Sequence, residues 1–421
     1  MEYAQGSNKI RFCLRKSGLL GIMYLWLCVS SLVIAVLCFI FKDYSQSFLM
    51  LKDVSLYSVL LFGLFICKYK LNDMPVVSGV YVMIMLLLYC SSSSASTLAK
   101  LSSVRQIISI YSFILLGYIF SNSINSVRKI YKWIMFTGIL IVIFGYVERS
   151  MYFWQTGFLY DYFEAKSIPL FGNGYPVFFI EPTKAIIPEA IEIPGNGSVR
   201  MVSAFLDPIN LGHSIVLWLC VLIYCKSFSV NKVFRYFLII LLSIALLLTY
   251  CKGAWLQLSL VLLILNEKLN HKFRIAICIL SILAAPLIIY SHDGFMVHLL
   301  GFYSSLVSLS LFGHGIGLIG NYSSMLGESI DLGIGDSFVG ALLGQLGIVG
   351  TSVWFLVLFV MLRSLSRHNF AKKVIIAQLA IAFVSENSFN LLSIAGIGLV
   401  LGLEMRESER FKAFNNTSFF P

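Results

Sequence analysis

The run Thr249-Tyr-Cys-Lys-Gly-Ala254 sets a single cation, Lys252, in a tight turn between two apolar stretches. A cation costs about 2.5–3.5 kcal/mol at the centre of a membrane helix and less near the interface. Lys252 therefore either snorkels its ammonium to the aqueous surface or binds an anion. Arg200 stands directly before an apolar run, and Arg105 and Arg149 flank two others. Their alternatives are lipid headgroup contact and anion binding. On the acidic side, Asp207-Pro208 and Asp336-Ser337 each open an apolar run, where Asp caps a helix and Pro suits the first helical position. A carboxylate at such a place could equally accept a proton as a general base. His213, His292, His298 and His314 add groups able to transfer protons near neutrality. Gly315, Gly317 and Gly320 fit the spacing of a dinucleotide fingerprint, but no strand–helix–strand unit surrounds them, so the match is rejected. The sequence has no metal-ligand cluster, phosphate-binding P-loop, nucleophile elbow or internal repeat.

The elements that must position these residues follow from composition. The chain has 421 residues, 58% hydrophobic and 12% charged, against about 25% charged in ordinary soluble domains. That excess of apolar residues exceeds what a soluble core can hold. The run 18–41 is too long for a cleaved signal peptide and reads as a retained first helix. The nine cysteines lie in or beside apolar runs, apart from Cys13, which argues against a disulfide scaffold. Roughly 20 mostly apolar residues cross a bilayer. Spans are expected near 18–41, 48–67, 74–90, 104–121, 133–153, 206–225, 235–250, 253–265, 273–290, 337–362, 374–387 and 388–404. With the N-terminus inside, the cytoplasmic connections collect Lys9, Arg11, Arg15, Lys16, Lys68, Lys70, Arg128, Lys129, Lys132, Lys226, Lys232 and Arg235. They also hold Lys268, Lys272, Arg274, Arg363, Arg367, Lys372, Lys373, Arg406, Arg410 and Lys412, which together are most of the 31 Lys and Arg. The formal charge of +11 thus reports topology and not nucleic-acid binding. The expectation is an all-α integral membrane protein of about twelve helices, a single polytopic domain with both termini cytoplasmic.

Two external segments, 150–205 and 291–336, are much longer than the other connections. Loops beyond about 15 residues are usually functional or disordered. The first alternates prolines with Phe171, Tyr175, Phe178 and Phe179, and aromatic content argues that it is folded. The second contains Gly313-His-Gly-Ile-Gly-Leu-Ile-Gly320, whose glycines permit tight turns.

Four stretches in this order and topology resemble the O-antigen polymerase (Wzy) and O-antigen ligase superfamily. Arg200-Met-Val-Ser-Ala-Phe-Leu-Asp-Pro-Ile-Asn210 is similar to the family block that leads into a span, with Asp207 and Ile209 departing from its usual wording. Thr249-Tyr-Cys-Lys-Gly-Ala254 is similar to a Thr-x-Ser-Arg-Gly-Ala turn, with Lys252 keeping the cation. Gly313-His-Gly-Ile-Gly317 and Gly347-Ile-Val-Gly350 resemble the glycine-rich stretch of the second large periplasmic loop and the motif of the helix after it. Together they cover about residues 200–360. Ligases carry a His-Asn pair where this chain has Asp336-Ser337, so the resemblance favours the polymerase branch. The second long segment holds no Lys or Arg, unlike the two basic loops of many polymerases.

The resemblance implies a fold similar to lipid-dependent, GT-C-like glycosyltransferases, with large periplasmic loops at 150–205 and 291–336, in a bacterial inner membrane. It implies an enzyme that polymerises undecaprenyl-diphosphate-linked oligosaccharide repeats, without a cofactor or metal, beside membrane lipid and a polysaccharide chain-length regulator. That reaction needs positive charge for the departing diphosphate and a base for the attacking hydroxyl. Arg200 and Lys252, with Arg105 and Arg149 secondary, are the expected diphosphate ligands. Asp336, Asp331, Glu328 and His298 are the candidates for the base. Tyr175, Phe178 and Phe179 could stack on sugar faces or pack locally. The competing readings are an O-antigen ligase, which lacks its His-Asn pair here, and a polysaccharide-lipid flippase or other secondary transporter, whose functional charges would sit inside the spans.

Overall fold

The computed structural model describes residues 2–67, 74–121, 124–151, 159–168, 200–225, 231–265, 293–321, 323, 330, 336–366 and 369–417. Those residues are helical, joined by turns and irregular segments, with no strand among them. Among the described residues, six helical stretches are long and apolar enough to cross a membrane: Gly18–Ile40, Lys42–Phe65, Pro75–Ser92, Thr97–Phe120, Val127–Ser150 and Phe338–Arg363. They match six of the twelve expected spans to within a few residues, except at the starts of the second, fourth and fifth, which lie six or seven residues earlier. Pro208–Tyr224 and Lys252–Ile264 are apolar but shorter, and Lys232–Leu248 has 17 residues. The expected span at 273–290 lies outside the described residues. The one expected at 374–387 is a 12-residue helix that stops at Ile381, followed by a 3-10 turn, Glu386–Phe389, and the helix Leu391–Thr417.

Polar caps set several of these boundaries. Asp207 accepts the Ile209 and Asn210 N–H groups at 2.8 and 3.2 Å, with Pro208 at the first helical position. Asn231 and Asn369 cap the helices that follow them. The helix at 338 is capped by Ser337, whose hydroxyl accepts the Gly340 N–H at 2.9 Å. Asp336, expected as a cap on equal terms with catalysis, does not cap; its backbone is in the left-handed region at φ 29° and its carboxylate accepts the Asn321 side-chain amide.

The chain divides into two compact units. The first comprises Met1–Tyr69, Ser112–Ala254 and Gly398–Pro421. Its core joins Ile34, Ala35 and Cys38 of the first helix to Leu159, Tyr162 and Phe163 of the short Tyr160–Ala165 helix, and to Val202 and Leu206. Trp218 donates to the Tyr24 hydroxyl at 3.0 Å, fastening Pro208–Tyr224 to the first helix. Gly117 and Gly402 meet the backbone carbonyls of Leu399 and Ile114, an approach that only small residues allow between membrane helices.

The second unit comprises Lys70–Tyr111 and Trp255–Ile397. Trp354 is its packing centre, edge-on to Tyr111, Phe338 and Phe389 and donating to the Ile107 carbonyl at 2.9 Å. The Phe338–Arg363 helix breaks at Gly347, where φ is 67° and ψ −171°. A break within an apolar helix strands backbone groups that lipid cannot satisfy. Here the glycine-rich stretch satisfies them. The carbonyls of Gly344 and Gln345 accept His314 and Gly315 N–H groups at 2.8 and 3.2 Å, and the Ile348 and Val349 N–H groups donate to Ser310 and Leu311 carbonyls at 3.0 and 3.1 Å. Gly313 and Gly347 face one another so closely that a side chain at either would strike the other's backbone. The two glycine motifs seen separately in the sequence are therefore halves of one joint. Within the expected long segment 291–336, residues Asp293–Val307 are helical, and the irregular stretch after them supplies this joint.

Candidate functional site

In the second unit the joint carries a pair of carboxyl groups. The Gln345 side chain holds the stretch at both ends, donating to the Ile319 carbonyl at 2.8 Å and accepting the Gly317 N–H at 3.2 Å. Ser93 adds a bond to the Ile316 carbonyl at 2.6 Å. The stretch ends at Asn321, which lies between the two acids. Its N–H donates to Glu386 Oε2 at 2.9 Å, and its side-chain amide donates to Asp336 Oδ1 at 3.1 Å. The Glu386 N–H donates to the Asp336 carbonyl at 3.1 Å, closing a ring of three residues from three chain segments. Gln106 donates to the Glu386 carbonyl at 3.3 Å. Beside the ring, the Ala382 carbonyl accepts the Val339 N–H at 3.1 Å, tying the end of one helix to the start of another.

Glu386 is 2% exposed and lies in the 3-10 turn beyond the Ile381 helix end, outside the six candidate spans. Burial pushes its carboxyl up to about 7; the Asn321 N–H opposes the rise, the Asp336 charge adds to it, and Gln106 opposes it weakly. Asp336 is half-buried. The Asp336 carboxyl and a second carboxyl, Glu386, that titrates near neutrality thus share one polar junction.

The first unit carries Arg149, Arg200 and Lys252. Arg200, 8% exposed, donates from Nε to the Thr249 carbonyl at 2.8 Å and from Nη2 to the Tyr250 carbonyl at 3.3 Å. The neighbouring Met201 N–H donates to the Leu248 carbonyl at 2.8 Å. Tyr250 sits at φ 48°, and the Thr249 hydroxyl accepts the Cys251 N–H at 3.3 Å while donating to the Leu246 carbonyl at 2.7 Å. Lys252 is then the first residue of the Lys252–Leu265 helix and is half-buried. A lysine there works against the helix dipole, whereas an anion at the same end is favoured by the dipole and by the exposed N–H groups. Gly212 packs on Cys251 and Ala254, so the segment that starts at Arg200 and the turn that ends at Ala254 are one packed body.

Of the expected diphosphate ligands, Arg200 and Lys252 are thus brought to one turn. Arg149 is buried in the last turn of Ile124–Met151, beside Glu148, whose Oε1 accepts the Val202 N–H at 3.4 Å. Arg105 belongs to the other unit, next to Gln106 on Thr97–Phe120. Of the expected bases, Asp336 is in the ring, and His298 lies on the Asp293–Val307 helix. Asp331 and Glu328 fall outside the described residues, as do Tyr175, Phe178 and Phe179. Asp207 is a helix cap, its second oxygen taking the Asn210 side-chain amide.

Glu386, Asn321 and Gln106 are the site residues that sequence reasoning missed. Gln106 sits inside an expected span and Asn321 inside a glycine-rich loop. For Glu386 a signal exists: Ser385-Glu-Asn-Ser-Phe-Asn390 interrupts an otherwise apolar stretch, which marks a turn and an acid at its start. Among the described residues no group of three or more His, Cys, Asp or Glu could hold a metal ion. No protein-family model matches the chain and no curated protein matches it.

Proposed function

We propose that the protein is an O-antigen or capsule-type polysaccharide polymerase that joins undecaprenyl-diphosphate-linked repeat units at the periplasmic face of a bacterial inner membrane. In this reading the chain crosses the membrane twelve times with both ends in the cytoplasm, and segments 150–205 and 291–336 face the periplasm. The hydroxyl at the non-reducing end of one lipid-linked repeat attacks the anomeric carbon of the growing chain. A glycosidic C–O bond forms, the bond from that carbon to the lipid diphosphate breaks, and the hydroxyl proton passes to a base. Asp336 is the preferred base, with Asp331, Glu328 and His298 as the others. Lys252 meets the diphosphate, and Arg200 adds charge to the turn that presents it.

The observation that supports this reading most is the bonding of Arg200 to Thr249 and Tyr250. It joins the two stretches whose resemblance to the family is carried by a cation, and cations at a helix N-terminus suit a diphosphate. The test is deletion of the gene followed by gel analysis of surface polysaccharide. A polymerase leaves a single repeat on the lipid A-core; bare core would overturn the proposal in favour of a ligase or flippase.

A further inference from the structure

The ring at Asp336 contains one acid that the proposed chemistry does not use. Glu386 comes from a turn 50 residues beyond Asp336 and 65 beyond Asn321, and both its carboxyl and its backbone are engaged with them. Asp336 stands at φ 29°, a conformation unfavourable for a residue with a side chain unless its surroundings hold it. The restraints on it include the Asn321 amide on its carboxylate and the Glu386 N–H on its carbonyl. Asn321 is in turn oriented by the Glu386 carboxyl. A water-facing surface turn has no reason to bury an acid to 2% exposure, since a charge removed from water is costly unless paired.

We propose that Glu386 is the positioning residue of the Asp336 site: it holds Asn321, and through it the Asp336 carboxylate, in the orientation used to accept the hydroxyl proton. The activity arm of the proposal rests on the polymerase reading, whereas the geometric arm does not. Electrostatics gives Glu386 a second influence. The charged group acting on its carboxyl is Asp336. The helix carrying Gln106 also carries Arg105 and Lys100, the latter tied to the Ser93 carbonyl at 2.6 Å. Deprotonation of Glu386 at about pH 7 gives the Asn321 N–H an ionised acceptor and tightens the hold on Asn321. Polymerisation therefore rises as pH passes upward through neutrality.

The experiment compares wild-type protein, Glu386→Gln and Glu386→Ala, each purified whole in detergent. Hydrogen exchange at the Asn321 amide is measured first. Glu386→Gln retains an acceptor for that N–H and keeps its protection, while Glu386→Ala exposes it; equal protection in the two variants overturns the proposal. Polymerisation of lipid-linked repeats is measured next, from pH 5.5 to 8.5. Glu386→Ala lowers kcat by about tenfold or more with KM little changed. Glu386→Gln keeps most of the kcat but loses the rise through pH 7. A wild-type kcat and pH profile in Glu386→Ala, or a loss explained entirely by the amount of folded protein with the profile unmoved, overturns it. If wild-type protein makes no polymer, the polymerase reading fails, and the exchange measurement alone decides whether Glu386 positions Asn321.

Discussion

The turn at 249–254 and the ring at Asp336 each hold charged side chains at the ends of apolar helices, by different routes. Arg200 is held by carbonyls of a single turn, with the Met201 and Leu248 backbones fastened alongside. Asp336 is held by the Asn321 side-chain amide and the Glu386 backbone N–H, from separate parts of the chain, and burial raises the Glu386 carboxyl to about 7. Carbonyls ask only that the turn fold. A ring of carboxyls and amides asks that three segments arrive together, and its state then depends on pH. The cation turn should therefore respond to loss of charge, and the ring to loss of charge, geometry and proton.

The comparison breaks most sharply at Asp336. Since Ser337 and not Asp336 caps the helix, Asp336→Asn leaves the cap intact and still accepts the Asn321 amide. It should fold, insert and make only single-repeat product, with a rate loss of about 10²–10⁴-fold if it removes a general base. Wild-type chain lengths from that variant would pass the role to Glu328, Asp331 or His298.

Lys252 tests the other region. Lys252→Ala should lose about 10–100-fold in polymer formation, the share of one charge-assisted phosphate contact, with protein level unchanged. Lys252→Arg should keep much of the activity. Normal polymer from Lys252→Ala would mean that the lysine only snorkels.

A stability measurement separates the regions by proton uptake. Folding raises the Glu386 carboxyl from 4.5 to about 7, so the folded state binds the extra proton between those values. Its contribution is complete below pH 4.5 and is lost as pH rises through 7, by roughly 3 kcal/mol in all. The wild-type melting temperature should fall between pH 5 and pH 8, and Glu386→Gln should flatten that fall. Lys252→Ala should leave the slope as it is. An unchanged slope in Glu386→Gln would mean that the carboxyl does not take up the proton on folding.

The smallest expected effect is at the cap. Ser337→Ala should cost about 1 kcal/mol of stability and leave the kcat of the folded protein in place. A loss of kcat comparable to that of Asp336→Asn would show that the two neighbours are not separable into cap and base.

The sequence alone determined what depends on neighbours within a turn or on total apolar length. The six long spans follow from uninterrupted apolar runs, and the capping by Asp207 follows from Asp-Pro at a run's start, because a cap is satisfied within three residues. Asp336 was visible as a capping type, yet Ser337 caps the helix, and Asp336, with a left-handed backbone, is bonded instead to partners far along the chain. Glu386 was hidden for the same reason. Its type and its polar flank are local, but its burial, its bond to Asn321 and its raised titration point exist only where three distant segments meet. The glycine motifs sharpen the point: each alone signals a turn, and only the tertiary structure decides that one breaks a helix and the other supplies the hydrogen bonds the break removes. Backbone groups in an apolar setting must find partners somewhere, but nothing in a local stretch says which partner arrives.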